Sequence, residues 1–290
     1  MLEGPLEVVK RAAKPVLTPT YHFERESIED PRIVKIDDTY YLTYTAYNYS
    51  FACGAVALSK DLKKFRKSGY VTPKFSFREF FKLTKIHDKV NPKYYRFYEF
   101  YKPQLDEKLI VWDKDIVFFP KRINGNLVFL HRIKPDIQIV SVKNLKQITK
   151  SFWRKYTTNF VEHIFMESKY PHESSYIGAG CPPIETEDGW LVIYHGVSVG
   201  LKGFIYNACA ALFDSKDIMK EIGRLRTPLF APSKPWEKKG TISNVVFPTG
   251  TSIFDGMLYI YYGAADSHIA AASVNMKDLL AELKKKSNRQ

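Results

Sequence analysis

Asn244-Val245-Val246-Phe247-Pro248, a turn at Asp255-Gly256, then Leu258-Tyr259-Ile260-Tyr261-Tyr262: this stretch decides the fold of the chain. A short apolar run, a tight turn and an aromatic-rich run make a β-hairpin. Asp-Gly supplies the positive φ such a turn needs, and aromatic side chains suit a pleated, half-buried surface. The same grammar occurs three more times. Asp30-Pro31-Arg32-Ile33-Val34-Lys35-Ile36 turns at Asp37-Asp38 into Tyr40-Tyr41-Leu42-Thr43-Tyr44. Asp115-Ile116-Val117-Phe118-Phe119 turns at Asn124-Gly125 into Leu127-Val128-Phe129-Leu130-His131. Gly180-Cys181-Pro182-Pro183-Ile184 turns at Asp188-Gly189 into Trp190-Leu191-Val192-Ile193-Tyr194-His195.

The turns fall at 38, 125, 189 and 256, intervals of 87, 64 and 67 residues. Hairpin units repeating at near-equal length predict an all-β fold of propeller blades rather than a β-sandwich. Ala55–Leu62 and Ile269–Leu279 read as later strands of their blades, and helical periodicity is confined to short stretches such as Asp278–Lys286. The chain of 290 residues reads as one propeller domain over 1–290.

The long first interval holds an insertion at about 70–112. Its densest part, residues 74–102, interleaves Lys74, Arg78, Lys82, Lys85, Lys89, Lys93, Arg96 and Lys102 with ten Phe and Tyr. Such a mixture can bind single-stranded nucleic acid by charge and stacking. With no accompanying RNA-binding motif, it reads instead as a helical lid or subunit contact that buries its aromatics, through which a homo-oligomer would form. A basic tail at about 277–290, with Lys284, Lys285, Lys286 and Arg289, adds to a net charge of +13. That charge favours anionic partners in general and names none.

With 45% apolar and 26% charged residues, 15 Gly and 16 Pro, the composition excludes collagen-like and low-complexity classes. Three scattered cysteines (Cys53, Cys181, Cys209) argue against a disulfide framework or a structural zinc. No metal is expected. No apolar run approaches a membrane span and Met1–Pro5 has no signal-peptide core, so a cytoplasmic, membrane-free location is expected.

Equivalent positions of propeller blades converge on the axis. Asp30, Asp115, Gly180 and Asn244 begin the first strands, and a charged residue just before a buried strand should line a pocket. Pro31 is expected to force Asp30 toward extended geometry, with Arg32 on the same face. A cation beside Asp30 would hold it ionised. Burial without one would keep it neutral, which is what a catalytic acid requires.

Glu29-Asp30-Pro31-Arg32, Phe119-Pro120 with Leu130-His131-Arg132, Ile177-Gly178-Ala179-Gly180-Cys181-Pro182-Pro183, Gly189-Trp190-Leu191-Val192-Ile193-Tyr194-His195-Gly196, Asn244–Pro248 and Tyr261-Tyr262-Gly263-Ala264-Ala265-Asp266 run in order along the chain. Together they resemble glycoside hydrolase family 130, five-bladed propellers acting on β-mannosides. The resemblance implies that Asp30 is the general acid, donating its proton directly or through a sugar hydroxyl. Asp266 binds the mannose before the scissile bond, and Arg132 and His195 stand where phosphorolytic members bind phosphate. Those members carry a Lys where this chain has Tyr176, and some an Asn where it has Ile133. The first blade is expected to be incomplete, since an Asn-Pro phrase and a Tyr-Arg-Ala phrase that contact sugar in the family are not found before Glu29.

Loss of a cation weakens phosphate recognition, so the expected activity is an inverting β-1,2-mannosidase using water. Its base would be a second carboxylate, for which Glu173 is the candidate, with Glu162 and Glu167 behind it. Arg32, Asp115, Arg132, Tyr176, His195, Asn244 and Asp266 are expected to bind a manno-oligosaccharide or β-mannoside. The alternatives are a β-mannoside phosphorylase, with inorganic phosphate as co-substrate and mannose 1-phosphate as product, and a non-catalytic carbohydrate-binding propeller.

Overall fold

The computed structural model describes residues 2–85, 90–101, 110–201 and 203–287. Five antiparallel sheets follow one another along the chain. The first is a hairpin of β1 (Leu2–Glu3) and β2 (Glu7–Val8). The second runs in order β3 (Ser27–Ile36), β4 (Thr39–Tyr47), β5 (Ala52–Ser59), β6 (Arg66–Tyr70). In the third, β7 (Lys114–Phe118), β8 (Leu127–Arg132), β9 (Ile137–Val142) and β10 (Ile164–Met166) are again neighbours in sequence order. The fourth holds β11 (Tyr176–Ala179), β12 (Ile184–Thr186), β13 (Gly189–Gly200), β14 (Gly203–Phe213) and β15 (Glu221–Arg224), and the last β16 (Val246–Phe254), β17 (Met257–Ala264) and β18 (His268–Asn275). The hairpins lie where the sequence puts them. Asn124 and Gly125 have φ of 50° and 78°, Asp255 and Gly256 48° and 74°, the paired left-handed values that two-residue turns demand.

Where the sequence reads as one domain, contacts group the chain into two compact units. One is central in sequence, Leu17–Glu167, and one carries both termini, Met1–Val16 with Ser168–Gln290. The central core packs Ile116, Phe118 and Phe129 from the third sheet against Val34, Ile36 and Val56 from the second. The fit is tight at Gly54, where a Cβ would stand 1.9 Å from the Ile116 side chain.

The insertion joins the same core. It forms α1 (Phe77–Thr84), packed near α3 (Lys150–Thr158), and α2 (Pro92–Tyr101). Ser76 caps α1 by accepting from Glu79 N, and Phe75, Phe80, Phe81 and Tyr94 are buried. Its described cations turn outward or pair, Lys93 with Asp136 at 2.7 Å. Lys89 and Lys102 lie outside the described residues, as does Arg289 of the basic tail; a one-turn helix α4 (Pro235–Lys238) precedes the last sheet, and the tail helix α5 (Met276–Ser287) follows β18 directly.

A buried carboxylate closes three of the sheets in one way. Glu24 accepts from Thr20 N (2.8 Å), Tyr21 N (3.0 Å) and the hydroxyl of Tyr44 on β4 (2.7 Å). Glu237 accepts from Ser233 N (2.7 Å), Lys234 N (2.8 Å) and Tyr262 of β17 (2.6 Å). Glu173 accepts from Lys169 N (2.7 Å), Tyr170 N (3.1 Å) and Tyr194 of β13. In the third sheet the tyrosine's place on the second strand is taken by His131, whose Nδ1 meets Asp113 at 2.8 Å and whose Nε2 meets Tyr156 at 2.7 Å.

Burial would raise the pKa values of Glu24 and Glu237, but their hydrogen bonds outweigh it and hold both below the ordinary 4.5. A depressed carboxylate contributes stability above its unfolded pKa and loses it as pH falls through the folded value. Calorimetric Tm is therefore expected to fall as pH drops below about 4.5, and less steeply in Tyr262→Phe, which removes one of the bonds that depress Glu237.

Candidate active site

In the central unit the second and third sheets carry the same bulge. Glu29 pairs with Thr45 and Arg32 with Thr43, while Lys114 pairs with Arg132 and Val117 with Leu130. In each case three steps along the first strand face two along the second. Asp30 and Asp115 sit in those bulges with φ of 54° and 56°, a strained left-handed geometry that Asp tolerates better than most residues. Pro31 therefore does not hold Asp30 extended as expected; the bulge overrides it. Gly180 and Asn244 do not share this register. β11 ends at Ala179, and Gly180 is a packing glycine, its Cβ position 2.8 Å from the Ile193 carbonyl oxygen. Asn244 (φ 60°) precedes β16, and its carbonyl accepts from Tyr206 N at 3.0 Å.

The two bulges bring seven charged groups together. Arg32, 2% exposed, donates from Nη1 to the Asp30 carbonyl at 2.7 Å, and its Nη2 lies 3.9 Å from Asp115. Arg132 Nε stands 2.6 Å from Asp115, which is 1% exposed. Lys114 pairs with Glu29 at 3.0 Å. The Asp30 carboxyl is driven above the usual range, chiefly by burial, with Asp115 and Glu29 adding to the rise and Arg32 and Lys114 opposing it. Both environments weighed from the sequence are present, and desolvation wins. A carboxyl with a raised pKa holds its proton to higher pH and is the better donor for it.

Lys134, absent from the sequence-based candidates, belongs to this cluster. Half-buried, it is lowered to about 7 by burial and by Arg132 and Lys114, against the pull of Asp115. It lies in the turn after β8, two residues past Arg132. Ile133 between them is in the core.

In the terminal unit His195, fully buried, stacks at 4.5 Å on Phe247 and lies 6.1 Å from Tyr206 and 6.5 Å from Tyr176. The hydroxyls of Tyr176 and Tyr206 meet at 2.5 Å. Asp266 (φ 49°) is exposed on the turn after β17, beside Ala265, whose N donates to Val245 at 3.1 Å, so Asp266 and Asn244 share one end of the last sheet.

Glu173 does not have the freedom of a catalytic base. It is fully buried, spent on the three hydrogen bonds described above, and ion-paired with Arg224 at 3.3 Å. The sequence offered the clue: Glu24, Glu173 and Glu237 are followed by a strand tyrosine 20, 21 and 25 residues later. Glu162 is exposed, and Glu167, also exposed, lies 3.9 Å from Lys93. Among the described residues, His172, Glu173 and Cys209 have potential metal-ligand atoms within 4.8 Å. The group is a poor cation site, because the carboxylate is occupied and burial pushes the Cys209 thiol well up, keeping it protonated.

A carboxyl whose pKa is raised by burial, set among buried guanidinium groups on an all-β scaffold, is suited to acid catalysis. The chain belongs to glycoside hydrolase family 130, whose model, described as beta-1,4-mannooligosaccharide phosphorylase, matches residues 2–285. A 1,2-beta-oligomannan phosphorylase of Thermoanaerobacter sp. (strain X514) is 34% identical over 274 residues, 93% of this chain and 75% of that protein. A beta-1,2-mannobiose phosphorylase of Listeria innocua, solved with beta-1,2-mannobiose, superposes with a TM-score of 0.70 at 25% identity. The match covers 95% of this chain and 65% of that one. A structure described with family glycoside hydrolases that target beta-1,2 mannosidic linkages in Candida mannan shares the fold, with a TM-score of 0.67 at 23% identity, over 92% of this chain and 72% of that one.

Proposed function

We propose that the protein is an inverting β-mannoside phosphorylase, acting on β-1,2-linked manno-oligosaccharides, with its five sheets arranged as the blades of a propeller. This reverses the expectation of a hydrolase. The observation that carries it is the fate of Glu173. Inverting hydrolysis needs a second carboxylate to activate water, and that candidate is buried and fully engaged. Phosphate arrives as an anionic nucleophile and needs no such base. The phosphorylases among the relatives point the same way.

In this reading Asp30 passes its proton, directly or through a sugar hydroxyl, to the leaving oxygen as the C1–O bond breaks. A phosphate oxygen forms the new bond to C1 from the opposite face, giving mannose 1-phosphate. Arg132 and Lys134 hold the phosphate, so the central unit supplies its own cations for the anion. Arg32 and Asp115, beside Asp30, support substrate binding. One observation favours hydrolysis: the neutral phenol at Tyr176.

Incubation with β-1,2-mannobiose decides between them. Mannose 1-phosphate should form only when phosphate is present; free mannose released equally without phosphate would restore the hydrolase, and no product at all the binding protein. The pH dependence is a further check. Lys134 carries its charge below about 7 and loses it above. The KM for phosphate should therefore rise as pH increases through 7, and Lys134→Met should raise it throughout and flatten that dependence.

A further inference from the structure

Beside the Asp30 cluster the central unit exposes three aromatic rings that the proposed chemistry does not use. Tyr49 is 70% and Trp112 41% exposed, and Tyr47 is half-buried between them. Tyr47 holds both in T-shaped contact, with ring centroids 5.8 Å from Tyr49 and 5.7 Å from Trp112. The backbone fixes this set. Tyr47 ends β4 opposite Ser27, its carbonyl accepting from Glu26 N at 3.0 Å. The next turn is tied by Asn48 Oδ1, which accepts from Ser50 N and Phe51 N at 3.2 Å, and Tyr49 is held there at φ 67°. Asp113 N, next to Trp112, donates to Ala52 of β5 at 3.1 Å.

The rings are continuous with the charged cluster. Lys114 Nζ lies 6.0 Å from the centre of Tyr47 and 5.8 Å from that of Trp112 while bonding Glu29, the neighbour of Asp30. Glu29 and Ser27, hydrogen-bonded at 2.5 Å, face Thr45 and Tyr47 across the strand pair. Two strand residues span about 7 Å, so the rings begin within one or two sugar units of the acid. Three rings bordered by Lys114, Glu29 and Glu26 offer flat apolar faces with hydrogen-bonding groups at their edges, the lining expected of a small-ligand site. The C–H face of a pyranose stacks on such a ring while its hydroxyls reach the polar rim.

We propose that Tyr47, Tyr49 and Trp112 form a distal subsite that binds sugar units of a β-mannoside chain beyond the disaccharide cleaved at Asp30. The proposal rests on the mannoside-active reading above, and its occupant is a longer manno-oligosaccharide.

Trp112→Ala and Tyr49→Ala remove exposed rings and should leave the melting temperature unchanged. Each should raise KM for β-1,2-mannotetraose about tenfold, leaving kcat/KM for β-1,2-mannobiose unaltered. Equal effects on both substrates, or none on either, overturn the subsite. Titration calorimetry with mannotetraose, without phosphate, separates this from a failure of the function. A protein that turns over no mannoside yet binds tetraose, more weakly in both variants, keeps the subsite and loses the enzymatic reading. Unchanged tetraose affinity in both variants removes the subsite, whatever the turnover.

Discussion

Asp30→Asn is expected to lower kcat by about 10²–10⁴-fold with little change in KM, since it removes a transferable proton and little else. The substitution is clean for a structural reason. Asp30 sits at φ 54°, a conformation that asparagine tolerates and most other side chains do not, so the bulge and the Arg32 bond to the residue's carbonyl should survive. Alanine would confound lost chemistry with backbone strain. A substrate with an activated leaving group, which needs less protonation, should recover part of the loss. The wild-type pH profile follows from the same residue. With its pKa raised by burial, Asp30 remains an acid into a range where ordinary aspartates are ionised, and kcat should fall only as pH climbs through that raised value. In Asp30→Asn that alkaline limb should vanish. Equal losses on activated and unactivated substrates would make Asp30 a positioning residue for Arg32.

Glu173→Ala should cost about 3–5 kcal/mol of stability, a fall in Tm of about 10 °C, while the folded fraction keeps its kcat. The removed carboxylate, itself buried, accepts from two backbone N–H groups and the buried Tyr194 hydroxyl and sits against the buried Arg224. Arg224 keeps Glu221, which limits the loss, but Lys169 N, Tyr170 N and the buried Tyr194 hydroxyl lose their acceptor. Thermal melts combined with activity measured well below the transition separate the two roles. If Glu173 activated water, kcat would be abolished at unchanged Tm and azide would restore turnover. The stability effect and the absence of azide rescue are the expected pair.

Much of the fold was legible because hairpin turns write themselves into sequence. Asn124-Gly125 and Asp255-Gly256 are nearly obligatory residues for their φ values, and the strands flanking them follow. The aromatic insertion was legible for the opposite reason: so many Phe and Tyr must go somewhere, and Phe75, Phe80, Phe81 and Tyr94 went into the core. Bulges are less visible. Asp30 and Asp115 look no more alike in sequence than Asp30 and Asn244, and only strand pairing, with Glu29 on Thr45 and Lys114 on Arg132, separates the true equivalents. Glu173 was misread because a glutamate in a loop is usually solvated. Its bond to a tyrosine 21 residues away shows only in the spacing that three sheets share, not in its immediate neighbours. Lys134 has no mark in the sequence because its lowered pKa comes from desolvation that only packing creates.

The carboxylate locks also work as a ruler. Each fixes one residue of a second strand, Tyr44, Tyr194 and Tyr262, with His131 in the corresponding place, and thereby fixes the address of the residue that follows: Thr45, His195, Gly263 and Arg132. Four copies of one address hold a small hydroxyl, an imidazole, a bare backbone and a guanidinium. The anchoring position keeps its task from copy to copy, whereas the adjoining one is free to change its chemistry without loosening the sheet. Duplication of such a module yields spare addresses at which new side chains can be tried. In the third sheet that address holds Arg132, the guanidinium assigned to the incoming anion.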